Sequence, residues 1–169
     1  YLIFAVLGFI LISTFTAHYN QNYLEQHYAA ALRRESSQIA DSFGNSYYRS
    51  ELTLEEFQKQ ITAVSSYLDA DIYIVNTGGR VLITSEEYIR PSETESIKDF
   101  DILDFSGSNY SIGTFYDHYD DDVLTVYTPI TRSYKVTCYV IICLPLSHIT
   151  TLQYDLLNGF YLSLIFLLL

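Results

Sequence analysis

Long uncharged, apolar runs at both ends of the chain constrain its fold more than any other sequence feature. The first charged residue is Glu25, and residues 1–17 are almost wholly apolar. The last charged residue is Asp155, after which the chain is apolar to its end. A 17-residue helix rises about 25 Å, close to the thickness of the hydrocarbon core of a bilayer. The expected segments are a truncated membrane helix at 1–17, an extracytoplasmic domain at 18–153 and a truncated membrane helix at 154–169.

Two other interpretations of the apolar ends remain open at this point. Ser13 to Ala17 are small enough to be cut, so residues 1–17 also fit a cleaved secretory signal. The fourteen-residue, largely apolar run 156–169 alone also fits a buried core helix. Apolar segments at both ends favour a two-pass protein of the cell membrane, with the bulk of the chain outside the cytoplasm.

The charge and the cysteines of the chain narrow its chemistry. The formal net charge is −11, which argues against nucleic acid as a partner. Cys138 and Cys143 are five positions apart in one predicted strand, so they point to opposite faces and cannot form a disulfide with each other. The sequence contains no pattern that calls for a cofactor.

Two helices are predicted before the first strand. Residues 18–48 form the first, with a narrow apolar stripe at spacings of four and seven that also suits a partner helix. We expect a parallel homodimer in which Leu24, Tyr28 and Leu32 lie at the interface. Thr53 and Glu56 form a capping box that begins a second helix, and this helix ends near Leu68. The stripe consists of Leu24, Tyr28, Leu32, Ile39 and Phe43.

Five strands are predicted in the rest of the domain. Residues 71–75 and 80–84 form a hairpin, because Gly78 and Gly79 can take positive φ in the turn between them. Residues 86–110 lack periodicity and are expected to form a long loop, with one helical turn near 96–100. Ser147 is expected to cap a short helix after the last strand. The remaining predicted strands are 111–115, 123–130 and 136–144.

The stretches Ala70–Leu82 and Val136–Ile149 carry a family resemblance. Together with the order of elements, they resemble the PAS-like sensor domains (PDC or single-Cache type) of bacterial sensor histidine kinases. The resemblance implies an α+β fold in which both N-terminal helices cover one face of a five-stranded antiparallel sheet and ligands are sensed at the other face. It also implies a homodimer that signals through its membrane helices to a cytoplasmic kinase and its cognate response regulator.

The same resemblance leaves the role of the parent protein open. Similar modules occur on chemoreceptors and on cyclic-dinucleotide enzymes, and a non-sensing dimerisation domain is a further alternative. No catalytic residue is indicated, so the chain itself is not expected to be an enzyme, although its parent would be a protein-histidine kinase.

Side-chain alternation predicts different roles for the two faces of the sheet. Ile72, Ile74, Leu124, Val126, Val140 and Ile142 form an apolar set that suits the helix-covered face. The other face carries hydroxyls and aromatic rings that suit a small-molecule pocket, with Arg90 or Lys98 reaching an anionic ligand from the loop. Ordinary cross-strand pairing is the alternative explanation for this face. Its candidate ligand-binding residues are Tyr73, Thr125, Tyr127, Thr137 and Tyr139.

Acidic residues are concentrated between residues 86 and 122. This segment holds eleven of the twenty Asp and Glu residues and only two basic residues. Clustered carboxylates suit a hard cation such as Ca²⁺ or Mg²⁺, or a cationic peptide. The alternative is a solvated hairpin turn that keeps a sheet edge soluble. The metal-ligand candidates are Asp117, His118, Asp120, Asp121 and Asp122.

Overall fold

The computed structural model describes residues 2–43, 53–85, 96–105 and 110–150. Helix α1 (Leu2–Ser42) and helix α2 (Leu54–Leu68) precede a five-stranded sheet. By their internal contacts, residues divide into two compact units. Among the described residues, one unit comprises residues 2–28 and 146–150, and the other lies within Ala29–Pro145.

The sheet confirms the predicted α+β architecture. Its order is β2-β1-β5-β4-β3, and every neighbouring pair is antiparallel. The central strand β5 is buried from Cys138 to Leu144, because both of its faces are covered. That double burial explains why this strand reads as a continuous apolar run. The strands are β1 (Asp71–Asn76), β2 (Val81–Thr84), β3 (Ser111–Gly113), β4 (Val123–Arg132) and β5 (Lys135–Pro145).

The predicted apolar face is confirmed as the helix-covered side of the sheet. All six residues assigned to it are fully buried. The buried Ser36 of α1 forms a hydrogen bond with Thr128, whose side chain follows the parity of Val126 on β4. Helix α2 packs against β1 and β2. Cys138 and Cys143 form no disulfide, and both are buried on opposite faces of the sheet, in agreement with the strand parity.

The buried stripe of α1 differs from the predicted one. Large apolar residues were expected to mark it, but half of its positions from Ala29 onward are small. Small side chains on the inner face let the helix lie close to the sheet. A search for large apolar residues does not find these positions. Leu24 and Tyr28 are only partly buried. Within this part of α1 the buried residues are Ala29, Leu32, Ser36, Ile39, Ala40 and Phe43.

Helix α2 begins and ends where the sequence predicts. The Thr53 hydroxyl accepts a hydrogen bond from the Glu56 N–H, and the Glu56 carboxylate accepts one from the Thr53 N–H at 2.9 Å. Asp69 adopts a left-handed conformation after Leu68 and ends the helix. Phe57 contacts Phe43, the residue that directly follows α1, with ring centroids 4.9 Å apart. This contact joins the two helices in one layer.

Several boundaries differ from the predictions. Strand β3 ends at Gly113, because the chain then turns tightly through residues 114–118. Helix α1 ends at Ser42, and residues 44–48 of the predicted first helix lie outside the described residues. Residues 146–150 are helical, which confirms the predicted short helix, but Ser147 lies within it and does not cap it.

The predicted membrane segments are not established by the structure. Among the residues it describes, no helix is both long and apolar enough to cross a membrane. The expected segment at 154–169 lies outside the described residues.

Replacing Ser36 by alanine should destabilise the protein more than replacing its neighbour Ser37. Both hydroxyls donate to the Arg33 carbonyl, at 3.0 Å and 2.9 Å, but only Ser36 also contacts Thr128 of the sheet. Ser36→Ala should lower the free energy of unfolding by about 1–2 kcal/mol more than Ser37→Ala, because it leaves Thr128 without its helix partner. Chemical denaturation of the full chain in detergent measures this, and equal effects would contradict it.

The pKa of Glu56 gives the stability a pH dependence. The backbone N–H and hydroxyl of Thr53 hold this pKa below its ordinary value of 4.5. A lowered pKa means that ionised Glu56 stabilises the fold above pH 4.5, and that this contribution disappears as the pH falls through the lowered value. Glu56→Gln should therefore flatten the acid limb of a stability–pH curve. The control is Glu55→Gln, which removes an exposed ion pair with Lys59. The acid limb of this control should stay as steep as that of the unmodified protein.

Candidate ligand-binding site

The sheet face opposite the helices carries a second buried cluster. Tyr73 of β1 and Tyr127 of β4 both pair with Ile141 of β5, so their side chains share this face. Thr125 and Tyr139 follow the same parity, which brings four of the five predicted residues to one side of the sheet. Burial, and then the neighbouring Tyr127, raise the pKa of the Tyr139 phenol. The buried members are Tyr73, Val75, Val81, Phe115, Val123, Tyr139, Ile141 and Cys143.

Part of the predicted loop covers this cluster. Ile97, Phe100 and Ile102 pack against it, and the Phe100 ring lies 6.4 Å from that of Tyr139. The Ile97 N–H donates to the Gly79 carbonyl at 2.9 Å, which ties this segment to the β1–β2 hairpin. Gly79 has φ +83°, and a Cβ added there would lie 2.7 Å from the Cβ of Phe100. The 96–105 segment can therefore approach the hairpin this closely only because residue 79 is glycine.

A left-handed turn formed by Phe115, Tyr116 and Asp117 covers the rest of the cluster. Their φ angles are 46°, 57° and 56°, and none of them is glycine. The left-handed region costs a non-glycine residue roughly 1–2 kcal/mol. The N–H groups of His118 and Tyr119 both donate to the Thr114 carbonyl at 3.1 Å, which closes the turn. Three consecutive strained residues require strong contacts elsewhere to hold them.

Aromatic contacts hold the left-handed turn against the sheet. The Phe115 ring stacks on Tyr73 at a centroid distance of 6.1 Å. The Tyr116 ring lies 5.7 Å from Phe100, and its hydroxyl donates to the Asp101 carbonyl at 2.9 Å. The turn therefore bridges the sheet and the 96–105 segment.

A chain of hydrogen bonds follows the turn. The Tyr119 hydroxyl donates to the Asp71 carboxylate at 2.8 Å and contacts the Tyr73 hydroxyl at 2.8 Å. The Tyr73 hydroxyl also lies 3.3 Å from Nε2 of His118. Burial is the main cause that raises the pKa of Tyr119, so its phenol keeps its proton. Two phenols thus connect a histidine with a carboxylate.

A cleft of about 220 Å³ lies beside the left-handed turn, at the β3 edge of the sheet. We call it the β3 cleft. Its lining combines hydroxyl groups with two aromatic rings and has no charged side chain among the described residues, a composition that suits a small, largely uncharged group. It is lined by Ser111, Ile112, Gly113, Thr114, Phe115, Tyr116 and Thr125.

Of the predicted ligand-binding residues that the structure describes, only Thr125 lines the β3 cleft. Tyr73 and Tyr139 are part of the packed cluster, and Tyr127 lies at its margin. The Thr137 hydroxyl donates to the Ile130 carbonyl at 3.1 Å, near the hairpin end of the sheet. Lys98 is exposed in the 96–105 segment, and Arg90 lies outside the described residues.

The predicted metal-ligand candidates do not converge. Across the described ranges, no three His, Cys, Asp or Glu side chains form a group that could hold a metal ion. Asp117 accepts a hydrogen bond from the Thr114 hydroxyl at 3.3 Å, and His118 faces Tyr73. The other three candidates are exposed in the connection to β4, namely Asp120, Asp121 and Asp122.

The dimer-interface candidates fall into different environments. Leu24 and Tyr28 are partly buried, whereas Leu32 is 3% exposed and packs within the single chain. Leu32 therefore has little surface to offer a partner, because its position on α1 lies on the buried stripe.

Sequence reasoning missed the aromatic residues that shape the cleft. Phe115 falls at the end of the predicted strand 111–115, and Tyr116 and Tyr119 fall in an acidic segment for which the sequence suggests only a cation site or a solvated turn. A signal was available, because three large rings within five residues are unusual for a solvated turn. The neighbouring aspartates predict an exposed segment and so outweigh that signal.

Replacing Gly79 by alanine should loosen the cover of the cluster. The new Cβ would clash with Phe100 and lie 3.2 Å from the Ile97 carbonyl oxygen, at a φ that L-residues rarely adopt. The free energy of unfolding should fall by about 1–3 kcal/mol. Gly78→Ala is the matched control, since its Cβ would meet only Asn76 Oδ1 at 3.5 Å. Thermal unfolding of both variants measures this, and similar melting temperatures would refute the close approach.

Comparisons with known proteins identify the fold. No protein-family model matches the chain. No curated protein matches it either. The sensory domain of the Campylobacter jejuni chemoreceptor Tlp3 with isoleucine bound has a TM-score of 0.54 and 15% identity, over 88% of this chain and 64% of that one.

The extracellular or sensor domains of two histidine kinases also have structures similar to this chain. The extracellular domain of the candidate histidine kinase vpHK1S-Z8 matches with a TM-score of 0.57 and 12% identity, over 84% of this chain and 60% of that one. The Vibrio cholerae kinase DctB sensor domain matches with a TM-score of 0.50 and 12% identity, over 83% and 58%. The chain thus spans less than two thirds of these structures. It has the PAS-like fold of the extracellular sensor domains of bacterial chemoreceptors and histidine kinases.

Proposed function

We propose that this chain is the extracellular signal-sensing domain of a membrane-bound sensor histidine kinase. It binds a small molecule in the β3 cleft and passes the bound state through membrane helices to a cytoplasmic kinase and its response regulator. The observation that carries the proposal is the cleft itself, one wall of which is a strained turn of non-glycine residues. Strain of this kind is concentrated at ligand-binding and switching sites.

The size and lining of the cleft support a ligand of amino-acid dimensions. A volume of about 220 Å³ is enough for a small molecule. Solved structures of Tlp3 with the same fold hold isoleucine and L-valine. Aliphatic amino acids therefore belong in the test panel, beside uncharged small molecules that match the uncharged lining of the cleft.

A chemoreceptor is the second candidate for the parent protein. Two Tlp3 structures share the fold over 88% of this chain, more than any kinase reported above. Ligand sensing is common to both candidates, and only the output domain distinguishes them. The non-sensing alternative makes no use of a strained cleft wall.

The membrane and dimer assignments complete the proposal. Residues 1–17 and 154–169 anchor the domain in the cell membrane, a role supported by their apolar composition. A parallel homodimer forms through Leu24 and Tyr28, which are only partly buried in the single chain. Leu32 is left out of the interface because it is buried.

A ligand that binds the native state should raise the melting temperature. At one hundred times its Kd, a single ligand adds about 2.7 kcal/mol to the free energy of unfolding. Titrating the full chain in nanodiscs with isoleucine, valine and a panel of small metabolites measures this. Ser111 faces the same side as its cross-strand partner Thr125, so Ser111→Phe should fill the cleft and abolish the shift.

The matched control is Leu82→Phe, which adds the same ring on the opposite edge strand, where Leu82 is 39% exposed. It should keep the ligand-induced shift. A shift that survives Ser111→Phe would place the ligand elsewhere, and no shift with any compound would refute ligand sensing.

A further inference from the structure

The hydrogen bonds at Asp71 have a defined direction. A phenol has one proton to donate. Tyr119 gives its proton to the Asp71 carboxylate, so the 2.8 Å contact between the two phenols requires Tyr73 to donate to Tyr119. Tyr73 then has no proton for His118, and Nε2 of His118 must carry the hydrogen of the 3.3 Å contact. The relay therefore runs from His118 through Tyr73 and Tyr119 to Asp71.

Two members of the relay, His118 and Tyr119, lie on the segment that carries the cleft wall. Tyr119 and His118 are also the residues whose N–H groups close the left-handed turn on Thr114. Thr114, Phe115 and Tyr116 line the β3 cleft. Asp71 lies on β1, and the sequence separation of 48 positions from Tyr119 makes this a tertiary anchor. The position of the wall thus depends on a carboxylate that does not line the cleft.

From this geometry we infer that Asp71 and His118 are positioning residues for the β3 cleft. Through Tyr73 and Tyr119 they hold the strained turn against the sheet, and so they set the affinity of the site. This inference rests on the proposed ligand sensing, but the state of the turn is measurable without a ligand. Asp71 begins β1 three positions after the last residue of α2, so the same contact connects the cleft wall with the strand that leaves the helical layer.

The test uses variants that keep or remove each hydrogen-bond donor or acceptor of the relay. Asp71→Asn keeps an oxygen that accepts from Tyr119, and Asp71→Leu removes it. His118→Gln keeps an N–H that donates to Tyr73, whereas His118→Glu at neutral pH can only accept. Tyr119→Phe removes both bonds of the central phenol. Tyr134→Phe is the control, because Tyr134 is fully exposed at the hairpin tip.

Amide hydrogen exchange at His118 and Tyr119 reads the turn directly in the full chain in nanodiscs. Asp71→Leu, His118→Glu and Tyr119→Phe should speed this exchange by about tenfold or more, the equivalent of one charge-assisted hydrogen bond. Asp71→Asn, His118→Gln and Tyr134→Phe should stay within about threefold of the unmodified protein. Exchange in the β4–β5 ladder should not change, which separates loss of the turn from loss of the fold.

L-Valine titration of the same proteins supplies the second measurement. Asp71→Leu should weaken L-valine binding about tenfold or more, and Asp71→Asn should restore it. Unchanged exchange in Asp71→Leu, or equal effects of His118→Gln and His118→Glu, would overturn the relay. Faster exchange with unaltered L-valine affinity would overturn the positioning role. Failure of the unmodified protein to bind L-valine or any panel compound would count against the proposed function, while the exchange still decides whether the relay holds the turn.

Discussion

Burial of β5 on both faces is the constraint on which the rest of the structure depends. Seven consecutive residues of this strand, from Cys138 to Leu144, are buried, so the sheet needs a cover on each side. Helices supply one cover, joined to the sheet at Ser36 and Thr128. No second helical layer follows in the described chain after α2, apart from short turns, and the other cover is built from irregular segments. Those segments must satisfy their own backbone groups, which explains their tight, hydrogen-bonded turns.

The irregular cover is also where the candidate site lies. Helices packed on a sheet offer few alternative arrangements, whereas a short turn held by ring contacts can move when a ligand replaces one of them. Phe115 and Tyr116 adopt the left-handed conformation because ring contacts offset its energetic cost. Phe115 stacks on Tyr73, and Tyr116 packs on Phe100. A ligand in the β3 cleft would touch two residues that are held in the left-handed region.

Strand β4 connects the two covers of the sheet. Thr125 lines the cleft on one face, and Thr128, three positions later, contacts Ser36 of α1 on the other. The strand therefore places a ligand-facing side chain and a helix-facing side chain within about 10 Å of each other along one backbone. The relay at Asp71 offers a second connection, at the junction of α2 and β1. Both connections use hydroxyl groups whose geometry a small displacement would disturb.

The sequence by itself determined the elements whose signals are local. The capping box at Thr53 predicts α2, and the Gly79 turn predicts the hairpin. The alternation along β1, β4 and β5 predicts which side chains share a face of the sheet. Each of these signals depends only on neighbouring residues or on periodicity. Tertiary structure alone decided the site. Asp71 and Tyr119 are 48 positions apart, and the turn at Phe115 is unfavourable without the rings around it. Strand parity places Tyr73 on the correct face, but only packing determines that it lies beneath Phe115 rather than in an open pocket.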